Sequence, residues 1–369
     1  MLKSAYIHIP FCKNICSYCD FCKNYYNKKI VIDYLTALKK EVQENYNHET
    51  LNTIYVGGGT PSCLSNNELD LLFEITGLFK LEKIYEFTFE CNYEDITEEL
   101  LIKLKENKVN RLSIGLQTFN EKFSSFLERK IDKIKMIEKV NLCKKYFNNI
   151  NVDLMYAIGN ETINDLKQDI EEFIKLDVTH ISTYALIKEE HTKLNIINFE
   201  DIDEETQSNM YYEIVNSLKQ NGYIHYEVSN FAKSGYESKH NTVYWNNDNY
   251  YGFGAGASGF VNNIRYDNTK SIFKYINHNR LLNREVLTIN QLIDDEIMLN
   301  LRKIDGINKK VFEKKYSINI NDIFNISLLV KDELIEENDE NIFIKEEYLF
   351  VSNEVILRFL NAKDNKKNT

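Results

Sequence analysis

The stretch Ala5-Tyr6-Ile7-His8-Ile9-Pro10-Phe11-Cys12-Lys13-Asn14-Ile15-Cys16-Ser17-Tyr18-Cys19-Asp20-Phe21-Cys22 runs a short β-type segment straight into four cysteines. Residues 5–9 read as a strand, and Pro10 stiffens the entrance to the loop behind it. Cys12, Cys16 and Cys19 stand in the spacing C-x3-C-x2-C. Iron–sulfur clusters are held by thiolates, usually four. Three thiolates on a four-iron cluster leave one iron open, so the spacing predicts a [4Fe–4S] cluster with an available coordination position. The competing reading is a zinc site with Cys22 as fourth ligand, but zinc sites more often join two separated cysteine pairs. Cys22 on the cluster would close the open iron, so it is read as a non-ligand. Cys63, Cys91 and Cys143 stand alone and read as small buried residues.

Outward from this loop, short β-rich runs alternate with longer helical patterns. Strands are expected at 5–9, 53–56, 85–89, 111–116, 151–156 and 180–186, with a seventh at 223–228. Helical spacing fills 31–42, 67–79, 98–105, 134–146 and 163–176. Strands alternating with helices imply parallel βαβ units. Their number predicts an α/β fold, a full or partial (β/α) barrel, with a doubly wound open sheet as the alternative. Polar residues fall near strand ends: Gly57-Gly58-Gly59 after the second, Glu90 ending the third, Gln117 ending the fourth, Asp153 in the fifth, Tyr184 late in the sixth. In such barrels the strand C-termini form one face, where functional residues converge.

Composition narrows the function. The chain has 369 residues and a net charge of −11, which argues against a nucleic-acid partner held by bulk electrostatics. No stretch approaches the ~20 apolar residues of a membrane span. Met1-Leu2-Lys3-Ser4-Ala5 lacks the apolar run of a signal peptide, so a cytoplasmic location is expected. Four of the seven cysteines fall between Cys12 and Cys22, and thiols clustered in this way point to metal rather than to a disulfide framework.

The run from Tyr6 to Phe21 resembles the oxygen-independent coproporphyrinogen III oxidase family of radical S-adenosylmethionine (SAM) proteins, and the resemblance extends to about Leu360. It implies that the open iron chelates the amino and carboxylate groups of SAM. It also implies roles along the chain. Gly57, Gly58, Gly59 and Thr60 would hold the SAM amino group, with glycine allowing close backbone approach. Glu90, in Glu90-Cys91-Asn92, and Gln117, ending Arg111-Leu112-Ser113-Ile114-Gly115-Leu116-Gln117, would reach the ribose. Arg129 would pair with the SAM carboxylate, a task suited to a planar guanidinium. Asp153 would lie near the ribose, and Tyr6 is placed with the same set. Three loops depart from the family: Gly-Arg-x-His reads Glu128-Arg129-Lys130-Ile131, Tyr-Gly-Leu-Pro-Gly reads Tyr156-Ala157-Ile158-Gly159-Asn160, and Asn-Pro reads Asn92-Tyr93.

His240-Asn241-Thr242-Val243-Tyr244-Trp245 matches the family's His-Asn-x-x-Tyr-Trp motif, which its heme chaperones link to heme. The resemblance implies His240 as an axial ligand, with Tyr244 and Trp245 stacking on the porphyrin. The residues alone favour a hydrogen-bonded loop histidine with aromatics that fill a core; the heme role comes from the resemblance. Gly252-Phe253-Gly254-Ala255-Gly256-Ala257 formally fits a dinucleotide fingerprint but lacks the βαβ context. The chaperone branch implies delivery of heme to respiratory acceptors at the membrane, with flavodoxin or ferredoxin as electron donor. The alternatives are oxidative decarboxylation of coproporphyrinogen III or another radical SAM reaction. Phe21 stands where the decarboxylases carry a fourth cysteine, and only eleven residues precede Cys12, so the chaperone is expected.

Three regions follow: a barrel over 1–233, a connecting region over 234–290 and a small winged-helix-like domain over 291–369. The last is expected as helices at 292–303, 309–316 and 326–334, a β pair at 342–344 and 349–351, and a final helix at 355–360. Residues 361–369 are expected to be disordered.

Overall fold

The structure, a computed structural model, describes residues 2–190, 192–196 and 201–363. Six parallel strands follow one another in sequence and in space: β1 (Ser4–Ile9), β2 (Thr50–Gly58), β3 (Lys80–Asn92), β4 (Arg111–Gln117), β5 (Asn149–Tyr156) and β6 (His180–Ala185). Helices α1 (Lys28–Asn45), α2 (Asn66–Thr76), α3 (Glu98–Glu106), α4 (Lys133–Lys144) and α5 (Ile163–Lys175) cross between them. A further helix, α6 (Glu204–Gln220), follows β6; the sequence reading did not name it. Thr97 and Thr162 cap α3 and α5, and Ser65 and Glu68 form a capping box on α2, which fixes where each crossover begins.

The expected seventh strand forms as β7 (Ile224–Glu227), but it does not continue the parallel series. Only Val228 and Ser229 separate it from β8 (Asn230–Ala232), which allows a hairpin and no crossover. β8 is therefore antiparallel to both β6 and β7. At the other end β9 (Tyr251–Phe253) lies parallel to β1, with Ala5 opposite Tyr251. The order is β9-β1-β2-β3-β4-β5-β6-β8-β7, with β9 and β7 as ends, so the barrel is partial. The expected connecting region thus supplies part of the barrel wall.

Parallel strands covered on both faces usually read as continuous apolar runs. These alternate. Ile54 and Val56, Phe87 and Phe89, Leu112 and Ile114, Ile150 and Val152 are buried in the apolar core. Their neighbours Tyr55, Glu90, Arg111, Ser113, Asn151, Asp153 and Ser182 line a cavity instead. The period of two therefore separates an apolar outer face, packed under the helices, from a polar inner face.

Helix α7 (Lys239–Trp245) packs against the inner wall near the start of the strands. The Glu86 carboxylate accepts hydrogen bonds from the backbone N–H groups of Lys239 and His240, both at 3.0 Å. Three antiparallel strands follow, β10 (Ser258–Val261), β11 (Ile264–Asn268) and β12 (Leu281–Val286).

The C-terminal part comprises α8 (Ile289–Asn300), β13 (Ile307–Asn308), α9 (Lys309–Tyr316), α10 (Ile326–Lys331), β14 (Ile335–Glu337), β15 (Asn341–Ile344) and α11 (Ser352–Asn361). Its sheet has the order β13-β15-β14. The expected β pair needs correction. The partner of β15 is β14, and residues 349–351 form the turn before α11, because Ile335 and Ile344 meet as buried residues across the hairpin. Of the tail expected to be disordered, Asn361 ends α11 and Lys363 bridges to Phe324; residues 364–369 lie outside the described residues.

Candidate functional site

At the C-terminal ends of the parallel strands a cavity of about 590 Å³ opens. Cys12, Cys16 and Cys19 line it together with Gly58, Gly59, Thr60, Glu90, Gln117, Arg129 and Asp153. Two residues of the expected set stand just behind this lining. Gly57 backs Glu90: a Cβ there would lie 2.6 Å from the Glu90 Cδ. The Tyr6 hydroxyl bonds His8 Nδ1 at 2.9 Å and does not border the cavity, so its expected place beside SAM is corrected to a supporting one.

His8 explains how the cysteine loop is held. Its Nε2 bonds the Cys22 carbonyl at 2.8 Å. A carbonyl only accepts, so Nε2 carries the proton and Nδ1 accepts from Tyr6. Burial pushes the His8 pKa down to about 4, which keeps this neutral tautomer. The loop is closed further by Asn24 N–H on the Pro10 carbonyl at 2.7 Å and Tyr26 N–H on the Cys12 carbonyl at 2.9 Å. Ser17 Oγ donates to the Phe126 carbonyl at 2.8 Å, tying the loop to the segment that carries Arg129.

Among the cysteines, Cys12 is buried and accepts a 3.3 Å hydrogen bond from Thr60 Oγ1, while Cys16 and Cys19 are half-buried. Burial pushes the Cys12 thiol up to about 11 and raises Cys19 as well. Cys22 is outside the cavity lining; its Sγ donates to the Lys270 carbonyl at 3.3 Å, and its Cβ presses on Gly256. No three His, Cys, Asp or Glu side chains among the described residues gather tightly enough for a single ion. Three thiols spread over one wall, with a fourth turned away, suit a multi-iron cluster better than one tetrahedral zinc.

The opposite wall is an organised polar surface. Glu90 accepts from Tyr55 OH at 2.7 Å and from Gly58 N–H at 2.9 Å. Burial raises its pKa, those two hydrogen bonds opposing. Arg129 donates from Nη2 to Asn92 Oδ1 at 3.0 Å and to the Gly115 carbonyl, while its buried Nε has no partner. Asp153 accepts from Asn151 Nδ2 at 2.8 Å, and burial with the Glu90 charge raises its carboxyl to about 7. Gln117 adopts φ +74°, a left-handed backbone that is uncommon outside glycine and is concentrated at functional sites.

Several cavity residues carried no assigned role in the sequence reading. Tyr18, inside the cysteine motif, lies beside Arg129 and Cys16. Asn151 is the hub of an inner network: Nδ2 donates to Ser113 Oγ at 2.8 Å as well as to Asp153, and Oδ1 accepts from Ser182 Oγ at 3.0 Å and from His180 Nδ1 at 2.6 Å. Arg111 is 1% exposed on the same lining. The signal was available: polar residues two apart in strands, Arg111-x-Ser113 and Asn151-x-Asp153, put side chains on one face.

The motif expected at heme lies elsewhere. His240 is 1% exposed, with Nδ1 bonded to Thr53 Oγ1 and Nε2 to Tyr244 OH, both at 2.8 Å. Burial drives its pKa down to about 3, so the ring is neutral. With both nitrogens engaged in hydrogen bonds, the ring presents no free lone pair here. Only Asn241 of the motif reaches the cavity. Trp245 is half-buried, with an unpartnered Nε1 and the Arg302 guanidinium 5.9 Å from its ring.

Comparison with known proteins agrees with this geometry. Residues 6–173 match the radical SAM superfamily. The heme chaperone HemW of Lactococcus lactis is 38% identical over 370 residues, covering 97% of each chain. HemW of Bacillus subtilis is 35% identical, covering 97% of this chain and 99% of its own. Coproporphyrinogen III oxidase (HemN) from Escherichia coli shares the fold at TM-score 0.85 and 19% identity, over 97% of this chain and 90% of its own. An organised cavity beneath a three-cysteine loop, and identity of this level along the whole chain, place the protein in the HemW family of the radical SAM superfamily.

Proposed function

We propose that the protein is a heme chaperone that binds a [4Fe–4S] cluster, SAM and heme, and delivers heme to respiratory heme proteins at the membrane. The observation that carries the reading is the meeting of three thiols with Gly58, Thr60, Glu90, Gln117, Arg129 and Asp153 around one cavity, in a chain collinear with HemW relatives. Cys12, Cys16 and Cys19 hold the cluster, and when bound it supplies an electron and an open iron for SAM. Gly57, Gly58, Gly59 and Thr60 receive the SAM amino end, Glu90, Gln117 and Asp153 the ribose, and Arg129 the carboxylate. The charge and unpartnered Nε of Arg129 suit that last contact. Tyr6 acts through His8 on the loop. Heme contacts the half-buried Tyr244 and Trp245, with His240 bracing Tyr244 from inside.

The protein works in the cytoplasm; no helix among the described residues is long and apolar enough to cross a membrane. Flavodoxin or ferredoxin supplies electrons. Phe21, in place of the decarboxylases' fourth cysteine, separates this chain from them. Anaerobic reconstitution with iron and sulfide, followed by heme titration and an assay for coproporphyrinogen decarboxylation, tests the reading. Heme binding without decarboxylation is the expected result, and formation of protoporphyrinogen would establish the decarboxylase instead.

A further inference from the structure

Helix α7 has seven residues, too few to hold their shape alone, so its ends decide where Tyr244 and Trp245 stand. It lies between β2 and α8. Its N-terminal end is fixed by the Glu86 carboxylate and by Ser238 Oγ, which accepts from Asn241 N–H at 3.3 Å. Its C-terminal end leaves backbone carbonyls without a partner inside the helix. Asn246 caps that end, and the buried Asn247 turns the chain away at φ +50°, a left-handed backbone that asparagine tolerates. The donors come from the C-terminal part. Lys315, in the last turn of α9, donates from Nζ to the Asn246 carbonyl at 3.0 Å, to the Asn247 carbonyl at 2.8 Å and to Glu296 Oε2 at 2.6 Å. An ammonium has three donors, and all three are used. Glu296, buried on α8, also accepts from Tyr316 OH at 2.8 Å. Lys303 adds a bond from Nζ to Asn246 Oδ1 at 2.9 Å, and Asn247 Nδ2 donates to the Leu292 carbonyl at 3.3 Å. A buried indole N–H usually finds an acceptor, yet that of Trp245 has none among the described residues. No hydrogen bond of its own fixes the ring, so its place follows from the helix end that Lys315 holds.

We infer that Lys315 is a positioning residue of the heme site, which from the C-terminal part fixes the end of α7 and with it the aromatic face that Tyr244 and Trp245 present to the porphyrin. The inference rests on the heme contact proposed for those two side chains. Trp245 is the last residue of the helix, directly before the two carbonyls that Nζ holds, so loss of Nζ frees that turn first. A cation suits the position, because the aligned peptide dipoles make a helix C-terminus negative. Glu296 keeps the ammonium in place: it is buried, fixed by Tyr316, and draws Nζ from the α8 side while Nζ reaches across to α7. The heme site is then built by two regions, the barrel anchoring α7 at Glu86 and the C-terminal part anchoring it at Lys315.

The test uses the full-length, cluster-reconstituted protein and the variants Lys315→Met, Lys315→Arg and Glu296→Gln, with urea midpoints to show that each is folded under the assay conditions. Trp245 is the single tryptophan of the chain, so its emission reports on the end of α7 alone. The first readout is taken before heme is added. Lys315→Met is expected to move the Trp245 emission to longer wavelength and to increase its quenching by acrylamide, while Lys315→Arg stays close to the wild type. The second readout is heme affinity by titration of the Soret band. Lys315→Met is expected to bind heme about tenfold more weakly, and Lys315→Arg to regain most of the loss. Glu296→Gln loosens the ammonium but leaves it in reach of the carbonyls; it is expected to move both readouts in the same direction by less, and it serves where the methionine variant does not fold. An unmoved Trp245 emission, or a heme affinity that falls equally in Lys315→Met and Lys315→Arg, would show Lys315 to be a packing residue and overturn the proposal. A moved emission with unchanged heme affinity would uphold the hold of Lys315 on α7 and refute the heme contact of Tyr244 and Trp245 instead.

Discussion

Gly57→Ala is the sharpest probe of the glycine loop. An alanine Cβ would stand 2.6 Å from Glu90 Cδ and 2.7 Å from each carboxylate oxygen. Carbon atoms in contact rest about 3.5–4.0 Å apart, so the Glu90 carboxyl must retreat by about 1 Å. Its hydrogen bond from Gly58 N–H, now 2.9 Å, would then pass beyond bonding distance. Loss of a hydrogen bond to a charged group costs about 1.5–3 kcal/mol, or roughly ten- to a hundredfold in affinity if Glu90 carries the ribose. Calorimetric titration of SAM into the anaerobic, cluster-loaded variant measures this, with iron content as a control that the cluster survives. Glu90→Asp in the Gly57→Ala background withdraws the carboxyl by one methylene and should return part of the loss. Unchanged SAM affinity in Gly57→Ala, or a double variant no better than the single one, would refute the reasoning.

Further outcomes follow from the same geometry. Cys12→Ala, Cys16→Ala and Cys19→Ala should each abolish normal cluster assembly while Cys22→Ala retains it; iron, sulfide and electron paramagnetic resonance measurements decide, and cluster loss in the Cys22 variant contradicts the three-thiol assignment. His240→Ala should lower stability by about 1–3 kcal/mol by stranding Thr53 and Tyr244, leaving the Soret band of bound heme in place; a lost Soret band at unchanged urea midpoint would restore His240 as an iron ligand. Ala157 has φ +58° where the family carries glycine, so Ala157→Gly should raise the unfolding free energy by about 1 kcal/mol, and a drop would show that the turn relaxes. Burial lowers His8 and His225 to about 4 and His240 to about 3. These folded values lie below the unfolded value of ~6.5, so their stability contribution is complete above ~6.5 and is lost as pH falls toward 4. Urea midpoints should decline across that window, and His8→Gln should flatten the decline.

Much of the architecture was legible because local sequence and tertiary role coincide. The cysteine spacing marks its own loop, and each β-rich run ending in a polar residue marks a strand that delivers a side chain to the cavity. The errors share a physical cause, since sequence order does not reveal which end of a barrel a later segment meets. His240 is in the right molecule but at the start of the strands, held by Glu86 and Thr53, rather than on an open face. Tyr6 is one layer behind the cavity because its neighbour His8 takes its hydroxyl. Residues 223–228 form a strand of the expected sense, but the reversed β8 stands between it and β6, because the two-residue turn after Glu227 folds the next strand back into the sheet. The β pair at 349–351 failed because the acidic Ile335–Glu337 reads poorly as a strand, though one buried isoleucine suffices at an edge.

The pairing of β1 with β9 has a consequence for biosynthesis. The cysteine loop emerges from the ribosome well before its outer supports, Gly256 and the Lys270 carbonyl. At about 5–20 residues per second the ribosome needs on the order of 12–50 s to reach them. Throughout that interval one edge of β1 lacks its neighbour and the thiols lack their enclosing wall. Thiol oxidation follows exposure and thiolate character, so the nascent chain is the most oxygen-sensitive form of the protein. The cysteine loop is therefore closed only once the chain as far as Lys270 has emerged.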